Sequence, residues 1–181
     1  MAIALSVIAV DQLTKHWAVT SLGTDREIDL FWTLRLNLAF NNGMAFGQAQ
    51  GFGPVIAVIA TLVIVYLLVS LRTEASPMST IGMGLLIGGA AGNLIDRLFR
   101  GDDGILQGAV VDFIDFQWFP IFNVADMAVN VGAGLLILSS ILNARAHRND
   151  HASHREPDRH DHVSDGAADG VSDDATDGGV R

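Results

Sequence analysis

Cysteine is absent from this 181-residue chain, which excludes a disulfide scaffold, a thiolate metal site and a cysteine nucleophile. Charge is scarce too. Only 17% of residues are charged, against about 25% in soluble domains. His16 is the only histidine before the C-terminal stretch, so serine–histidine chemistry has almost nothing to use, and neither an H-E-x-x-H zinc motif nor a G-x-S-x-G elbow occurs. Basic residues are outnumbered: eleven Lys and Arg face twenty Asp and Glu, for a net charge of −9. That balance argues against a phosphate-backbone partner, and so against nucleic acid. The excess is concentrated at one end, because Asn149–Arg181 carries nine acids and three bases.

What remains is apolar enough to suggest a membrane. A crossing helix needs about 20 mostly apolar residues. Pro54–Leu71 has no charge at all and is the clearest candidate. Ser79–Leu98 is apolar until Asn93, Asp96 and Arg97, and Ile121–Asn143 follows Pro120 and carries Asn123, Asp126 and Asn130. Met1–Val19 is a weaker fourth, with Asp11 and Lys15 inside it. It lacks a basic leading segment and does not read as a cleavable signal peptide. Four spans place both termini on one side. The basic residues are shared almost evenly between the two faces, so charge bias does not orient the chain.

The loop after the first helix has its own pattern. Thr33–Phe40 alternates polar and apolar residues, the period of a half-buried strand. Asn41-Asn42-Gly43 follows as a turn, with Met44-Ala45-Phe46 as a returning strand. Trp32, Trp118 and Phe119 suit an interfacial belt. The polar stretch 147–181 reads as a disordered, solvated tail in which His147, His151, His154, His160 and His162 are solvated rather than metal-binding. The expected division is a membrane domain over 1–146 and this appendage over 147–181.

Ionisable residues within a membrane are costly and are functional candidates. Asp11 and Lys15, four apart, share a helix face and can pair. Asn93, Asp96 and Arg97 form either a polar clasp between helices or part of a site. Gly84, Gly88 and Gly92 make a small-residue stripe suited to close helix packing. Asp112, Asp115 and Asp126 lie among very apolar neighbours, with Asn123 and Asn130 on the face of Asp126. Two carboxylates at one boundary suggest paired acid–base chemistry. Spacing leaves open which two of Asp96, Asp112, Asp115 and Asp126 would form the pair, although Asp115 best suits loop decoration. A small transporter with Asp11, Lys15, Asp96 and Asp126 along a proton path, or a scaffold packed through the glycine stripe, are the competing classes. A relay needs acids at several depths, whereas the deep face of the last helix carries only Asn130.

Four blocks, in order, carry a resemblance: Asp11-Gln12-Leu13-Thr14-Lys15; Asn41-Asn42-Gly43-Met44-Ala45-Phe46; Gly88 to Arg97, GGAAGNLIDR; and Val110-Val111-Asp112-Phe113-Ile114 followed by Phe122-Asn123-Val124-Ala125-Asp126. Over residues 5–143 the chain resembles the bacterial lipoprotein signal peptidases (signal peptidase II), which are membrane aspartic peptidases. The resemblance implies an all-α membrane fold of four transmembrane helices with a small extracytoplasmic β-like cradle in the first loop. It implies a multi-pass protein of the bacterial cytoplasmic membrane, both termini cytoplasmic, with its site near the extracytoplasmic face. It places the catalytic aspartates on Asp112 and Asp126, and supporting residues on Asp11, Lys15, Asn41, Gly43, Asn93, Asp96, Arg97 and Asn123. The implied partners are a diacylglyceryl-modified prolipoprotein, cut just before its lipidated cysteine, and membrane lipid. No cofactor or metal is implied, and the enzyme is expected to be a monomer. Leu98–Ala109, which includes Asp102-Asp103-Gly104, is longer than the family pattern, and the spacing from Asp112 to Asp126 is shorter.

A tail of this composition cannot bury enough apolar surface to offset the entropy of ordering it. A chain ending near Arg148 is therefore expected to insert and to process a lipid-modified precursor like the full chain in a gel assay. A large activity loss in a well-expressed truncated protein would count against the tail reading.

Overall fold

A computed structural model of the chain describes residues 1–23, 26–43, 52–74, 76–101 and 106–153. Four helices, α1 (Ala2–Ser21), α2 (Gly53–Ser70), α3 (Pro77–Phe99) and α4 (Val124–Ser153), accompany three strands, β1 (Ile28–Phe31), β2 (Leu34–Asn41) and β3 (Val110–Asp115). The expected return strand at Met44–Phe46, the Asp102–Gly104 insertion and the tail beyond Ser153 lie outside the described residues. Contacts divide the chain into Met1–Ala144 and Arg145–Arg181. Of the second unit, the end of α4 is described, and it carries helix past the boundary expected at residue 146.

Among the described residues, three helices are long and apolar enough to cross a membrane: Gly53–Ser70, Pro77–Phe99 and Val124–Ala146. Their surface is inverted relative to a soluble protein. Leu62, Val65, Tyr66 and Val69 of α2 and Ile137 and Leu138 of α4 are exposed, while Asp11, Lys15 and Asp96 are completely buried. An apolar belt of this extent marks a surface that water does not cover.

Glycine lets the helices approach closely. On α3, Gly84 faces Ile3, Gly88 faces Ala4 and Val7, and Gly92 faces the Asp11 carboxylate, so the expected stripe is the seam to α1. Gly82 and Gly89 form a second seam, unremarked in the sequence, against Gly132 and Ala125 of α4. Small residues on both sides place α3 between α1 and α4, which brings the polar ends of three helices together. Ser76 caps α3 by accepting from the Ser79 N–H at 3.4 Å, with Pro77 opening the first turn.

The sheet is antiparallel in the order β1-β2-β3. The expected strand over Thr33–Phe40 is present as β2, and among the described residues it pairs with β1 and β3. Register sets Arg35 opposite Asp115, Ala39 opposite Asp112 and Asn41 opposite Val110, with an irregularity between Leu36 and Ala39. Phe113 of β3 packs with Ala18 and Leu22 at the end of α1 in a small core that includes Leu36, Leu38 and Val124. This core fastens the sheet to the helices. The last helix starts later than expected. Phe122 pairs with Ile114 across an isolated bridge, so the chain from Pro120 to Asn123 is extended, and Asn123 begins α4 as its cap.

The two kinds of α-helical glycine make a direct test. A Cβ at Gly88 would meet Val7 Cβ at 2.7 Å and Ala4 backbone at 2.8 Å, whereas one at Gly134 would meet nothing within 4 Å. Gly88→Ala is expected to cost about 1–3 kcal/mol by overpacking. Gly134→Ala should be neutral or stabilising by up to about 1 kcal/mol. Thermal unfolding in detergent separates the two.

Candidate active site

The site is assembled around Lys15. Its ammonium has three donors, and each finds an acceptor: Asp11 Oδ2 at 2.8 Å, Asp96 Oδ2 at 2.9 Å and Asn93 Oδ1 at 2.9 Å. The expected Asp11–Lys15 pair is therefore present and extended by Asp96, which also accepts from Arg100 Nε at 2.8 Å. Gln12 Nε2 donates to Asp96 Oδ1 at 3.1 Å and to the Gly92 carbonyl at 3.1 Å. A buried charge persists only when paired and hydrogen-bonded, and here every member is.

One oxygen of each carboxylate in this cluster also reaches the backbone. Asp11 Oδ1 accepts from the Ala125 N–H at 2.9 Å, and Asp96 Oδ2 accepts from the Val111 N–H at 3.2 Å. Ala125 precedes Asp126, and Val111 precedes Asp112. Each ion-paired carboxylate thus holds the residue next to one of the two other aspartates.

Three asparagines complete the frame. In each, a donor of fixed identity engages the side-chain carbonyl, which fixes where the NH2 points. The Gly43 N–H bonds Asn41 Oδ1 at 3.0 Å, and Asn41 Nδ2 donates to Asp112 Oδ2 at 3.2 Å. The Asp126 N–H bonds Asn123 Oδ1 at 3.0 Å, and Asn123 Nδ2 donates to Asp112 Oδ1 at 2.6 Å and to Asn93 Oδ1 at 3.1 Å. With its own Oδ1 on Lys15 and Asn123, Asn93 donates Nδ2 to Asp126 Oδ1 at 2.8 Å. Asp126 Oδ2 also accepts from the Asn123 N–H at 3.2 Å, a reciprocal capping pair at the start of α4. Gly43 has φ +94°, and a Cβ there would lie 2.6 Å from Gly53 N at the start of α2, so only glycine fits the position that orients Asn41.

The acids now separate by their partners. Asp11 and Asp96 are ion-paired to Lys15 between α1 and α3. Asp115 is ion-paired to Arg35 Nε at 2.7 Å and accepts from Gln117 N–H at 2.6 Å, the structural role its position suggested. Burial opposes ionisation of Asp115, but Arg35, Gln117 and Asn37 together hold its carboxyl below the usual range. Hydrogen bonding to Asp115 raises the Arg35 guanidinium in turn. Asp112 and Asp126, among the described residues, receive amide donors and no salt bridge. Burial, and then the nearby Asp126 charge, push the Asp112 carboxyl up to about 6 against the pull of Asn41, Asn123 and Lys15. Arg97 is buried, donates weakly to the Asn93 carbonyl at 3.3 Å and lies in the field of Asp112, Asp126 and Asp96. Its Nε has no hydrogen-bond partner among the described residues.

Both unpaired carboxylates open onto cavities. Asp112 lines one of about 240 Å3 with Phe40, Asn41 and Ile121. Asp126 lines a groove of about 510 Å3 with Phe119, Phe122, Met127 and Asn130. Pro120 and Ile121 border both.

A family model described as signal peptidase (SPase) II matches residues 3–142. The chain belongs to the signal peptidase II family. Lipoprotein signal peptidases of Mycobacterium avium and Rhodococcus jostii are 42% and 40% identical to it, over 78% and 77% of this chain and 78% and 71% of theirs. Two solved bacterial membrane enzymes share the fold. One has a TM-score of 0.69 at 28% identity over 87% of this chain and 92% of its own, the other 0.65 at 30% over 76% and 89%. As a signal peptidase II the chain is a membrane enzyme of the aspartic type. Of the residues that the resemblance singled out, all ten lie in or beside the one network described above. Gln12 and Arg100 were missed, although each had a signal: Gln12 lies within the first block, and Arg100 sits four residues after Asp96 on one helix face.

Removing one member of a buried ion cluster strands the others, at a cost of about 3–5 kcal/mol. Lys15→Met and Asp96→Ala should therefore both lower the melting temperature in detergent and reduce activity. A fully stable Asp96→Ala protein without activity would instead move Asp96 into the catalytic set.

Proposed function

We propose that Asp112 and Asp126 form the catalytic dyad with which this signal peptidase II cleaves diacylglyceryl-modified prolipoproteins just before the lipidated cysteine. One observation carries the assignment. Among the acids of the network, these two have amide donors instead of cations, and both face open cavities. An amide orients a carboxylate without neutralising it. Two such groups in a poorly solvated site hold one proton between them.

The chemistry follows from that sharing. The ionised carboxylate removes a proton from a water, whose oxygen attacks the scissile carbonyl carbon. The protonated carboxyl donates to the carbonyl oxygen as it gains charge. Collapse of the tetrahedral intermediate breaks the C–N bond, and a proton passes to the leaving nitrogen, giving a free amine and a carboxylate. Asn41, Asn93 and Asn123 hold the dyad in register, and the Lys15 cluster holds the backbone beneath it. No cofactor or metal enters the scheme.

The same reading orients the protein. The polar face of α1 is consumed by α3 and the start of α4, and Leu5, Val10, Leu13 and Trp17 remain exposed on its outside. With its charges satisfied internally, α1 can cross as a fourth span. Both termini then lie in the cytoplasm, and the sheet and dyad lie at the extracytoplasmic face, where the scissile bond of a lipid-anchored precursor sits. The exposed apolar belt contacts membrane lipid. Residues 147–181 form a cytoplasmic appendage, and the enzyme acts as a monomer.

Asp112→Asn and Asp126→Asn should each insert and fold, yet lose about 10²–10⁴-fold in rate or more. The double variant should be little worse than either, since the two act as a unit. The wild-type rate should fall as pH rises through about 6, where the Asp112 carboxyl, held up by burial and the Asp126 charge, gives up the shared proton. It should fall again in acid, when the dyad takes up a second proton and the base is lost. EDTA should not change it. Substantial cleavage by either variant, measured on a lipid-modified precursor, would remove the dyad.

A further inference from the structure

Asn130 is the polar residue that the dyad and its frame leave unused. It lies one turn beyond Asp126 on α4, about 6 Å along the helix axis. It is exposed on a membrane-crossing helix and lines the same groove as the Asp126 carboxylate. Its Nδ2 donates to the Asp126 carbonyl at 3.0 Å, which identifies that end of the amide as the donor and leaves Oδ1 as the other end. Among the described residues, Oδ1 meets no donor. Phe122, Met127 and Val131 line the groove with it, so apart from the Asp126 carboxylate the Asn130 amide stands in an apolar groove. An unpaired polar group in such a place is costly, and an arriving donor would relieve the cost.

We propose that Asn130 is a substrate-binding residue whose Oδ1 accepts a backbone N–H from the signal-peptide segment leading to the scissile bond. The inference rests on the peptidase reading above and adds a subsite to it. The chemistry of the substrate selects the occupant. A diacylglyceryl group carries ester carbonyls and no N–H, so it has nothing to donate to an acceptor. A peptide does. A segment presented for cleavage must leave the helical conformation, and unwinding in an apolar site frees backbone N–H groups that need partners. Asn130, next to the catalytic carboxylate and one turn farther along the groove, supplies one.

The test is a thermodynamic cycle on the purified full chain. Synthetic lipid-modified precursors carry an ester in place of one amide at each of the four residues before the lipidated cysteine, which deletes one N–H at a time. In wild-type enzyme, one position should lower kcat/KM by about 3–10-fold, the worth of one hydrogen bond. That penalty should vanish in Asn130→Leu and persist in Asn130→Ser, whose hydroxyl can bond the Asp126 carbonyl and still accept. Asn130→Ala serves if the leucine variant melts early in detergent. The proposal is overturned if no position shows a penalty, or if every penalty is the same in variant and wild type. It is also overturned if the selective loss arises with an ether-linked lipid, which would assign Asn130 to the acyl-ester carbonyls. Failure of the dyad itself would show separately, as cleavage by Asp112→Asn.

Discussion

The structure depends on a single buried ammonium. Lys15 has no exposed surface and three acceptors, two of them carboxylates from different helices. Neither Asp11 nor Asp96 could stay ionised in an apolar interior alone. Once they are gathered on Lys15, each also accepts from a backbone N–H, Asp96 from β3 and Asp11 from α4. A charge cluster within the helices thereby fixes the positions of two segments far apart in sequence. The glycine seams of α3 serve the same end, since only close helices allow a lysine on α1 to reach an asparagine and an aspartate on α3 together.

The long elements were legible because their signal is length and apolarity, which need no partner. Pro54–Leu71 and Ser79–Leu98 fall within a few residues of α2 and α3. Boundaries were less legible where a tertiary contact sets them. Ile121 and Phe122 look like the first turn of a span, yet Phe122 is bridged to Ile114 and Asn123 caps the helix. The strand β3 was hidden for another reason. Val110–Asp115 is buried on both faces and shows no alternation, so the segment read as loop rather than strand. The four-residue β1 gave no signal apart from its pairing.

The candidate site was legible in composition but not in division of labour. Spacing left Asp96, Asp112, Asp115 and Asp126 all open, with Asp115 the best suited to loop decoration, and only the resemblance favoured two of them. The distinction lies in partners contributed from remote positions. Arg35 claims Asp115 across the sheet, and Lys15 claims Asp96 across a helix seam. A local pattern carries no trace of these pairings. The roles of the asparagines are equally non-local, because each amide is oriented by a donor whose location only the fold determines.

That asparagine frame has a consequence for how the enzyme responds to its surroundings. Carboxamides neither gain nor lose protons over the range in which carboxylates do, so the side-chain amide donors on Asp112 and Asp126 do not titrate with them. Acidity can change the protonation of the pair without removing these donors. The frame is also intolerant of the smallest chemical exchange. Hydrolysis of a single side-chain amide at Asn41, Asn93 or Asn123 would replace a donor nitrogen with an oxygen. It would set carboxylate against carboxylate across distances of 2.6 to 3.2 Å. Spontaneous deamidation at these three positions is thus a route by which the enzyme would age, losing function through the ruin of its alignment while its catalytic groups stayed chemically intact.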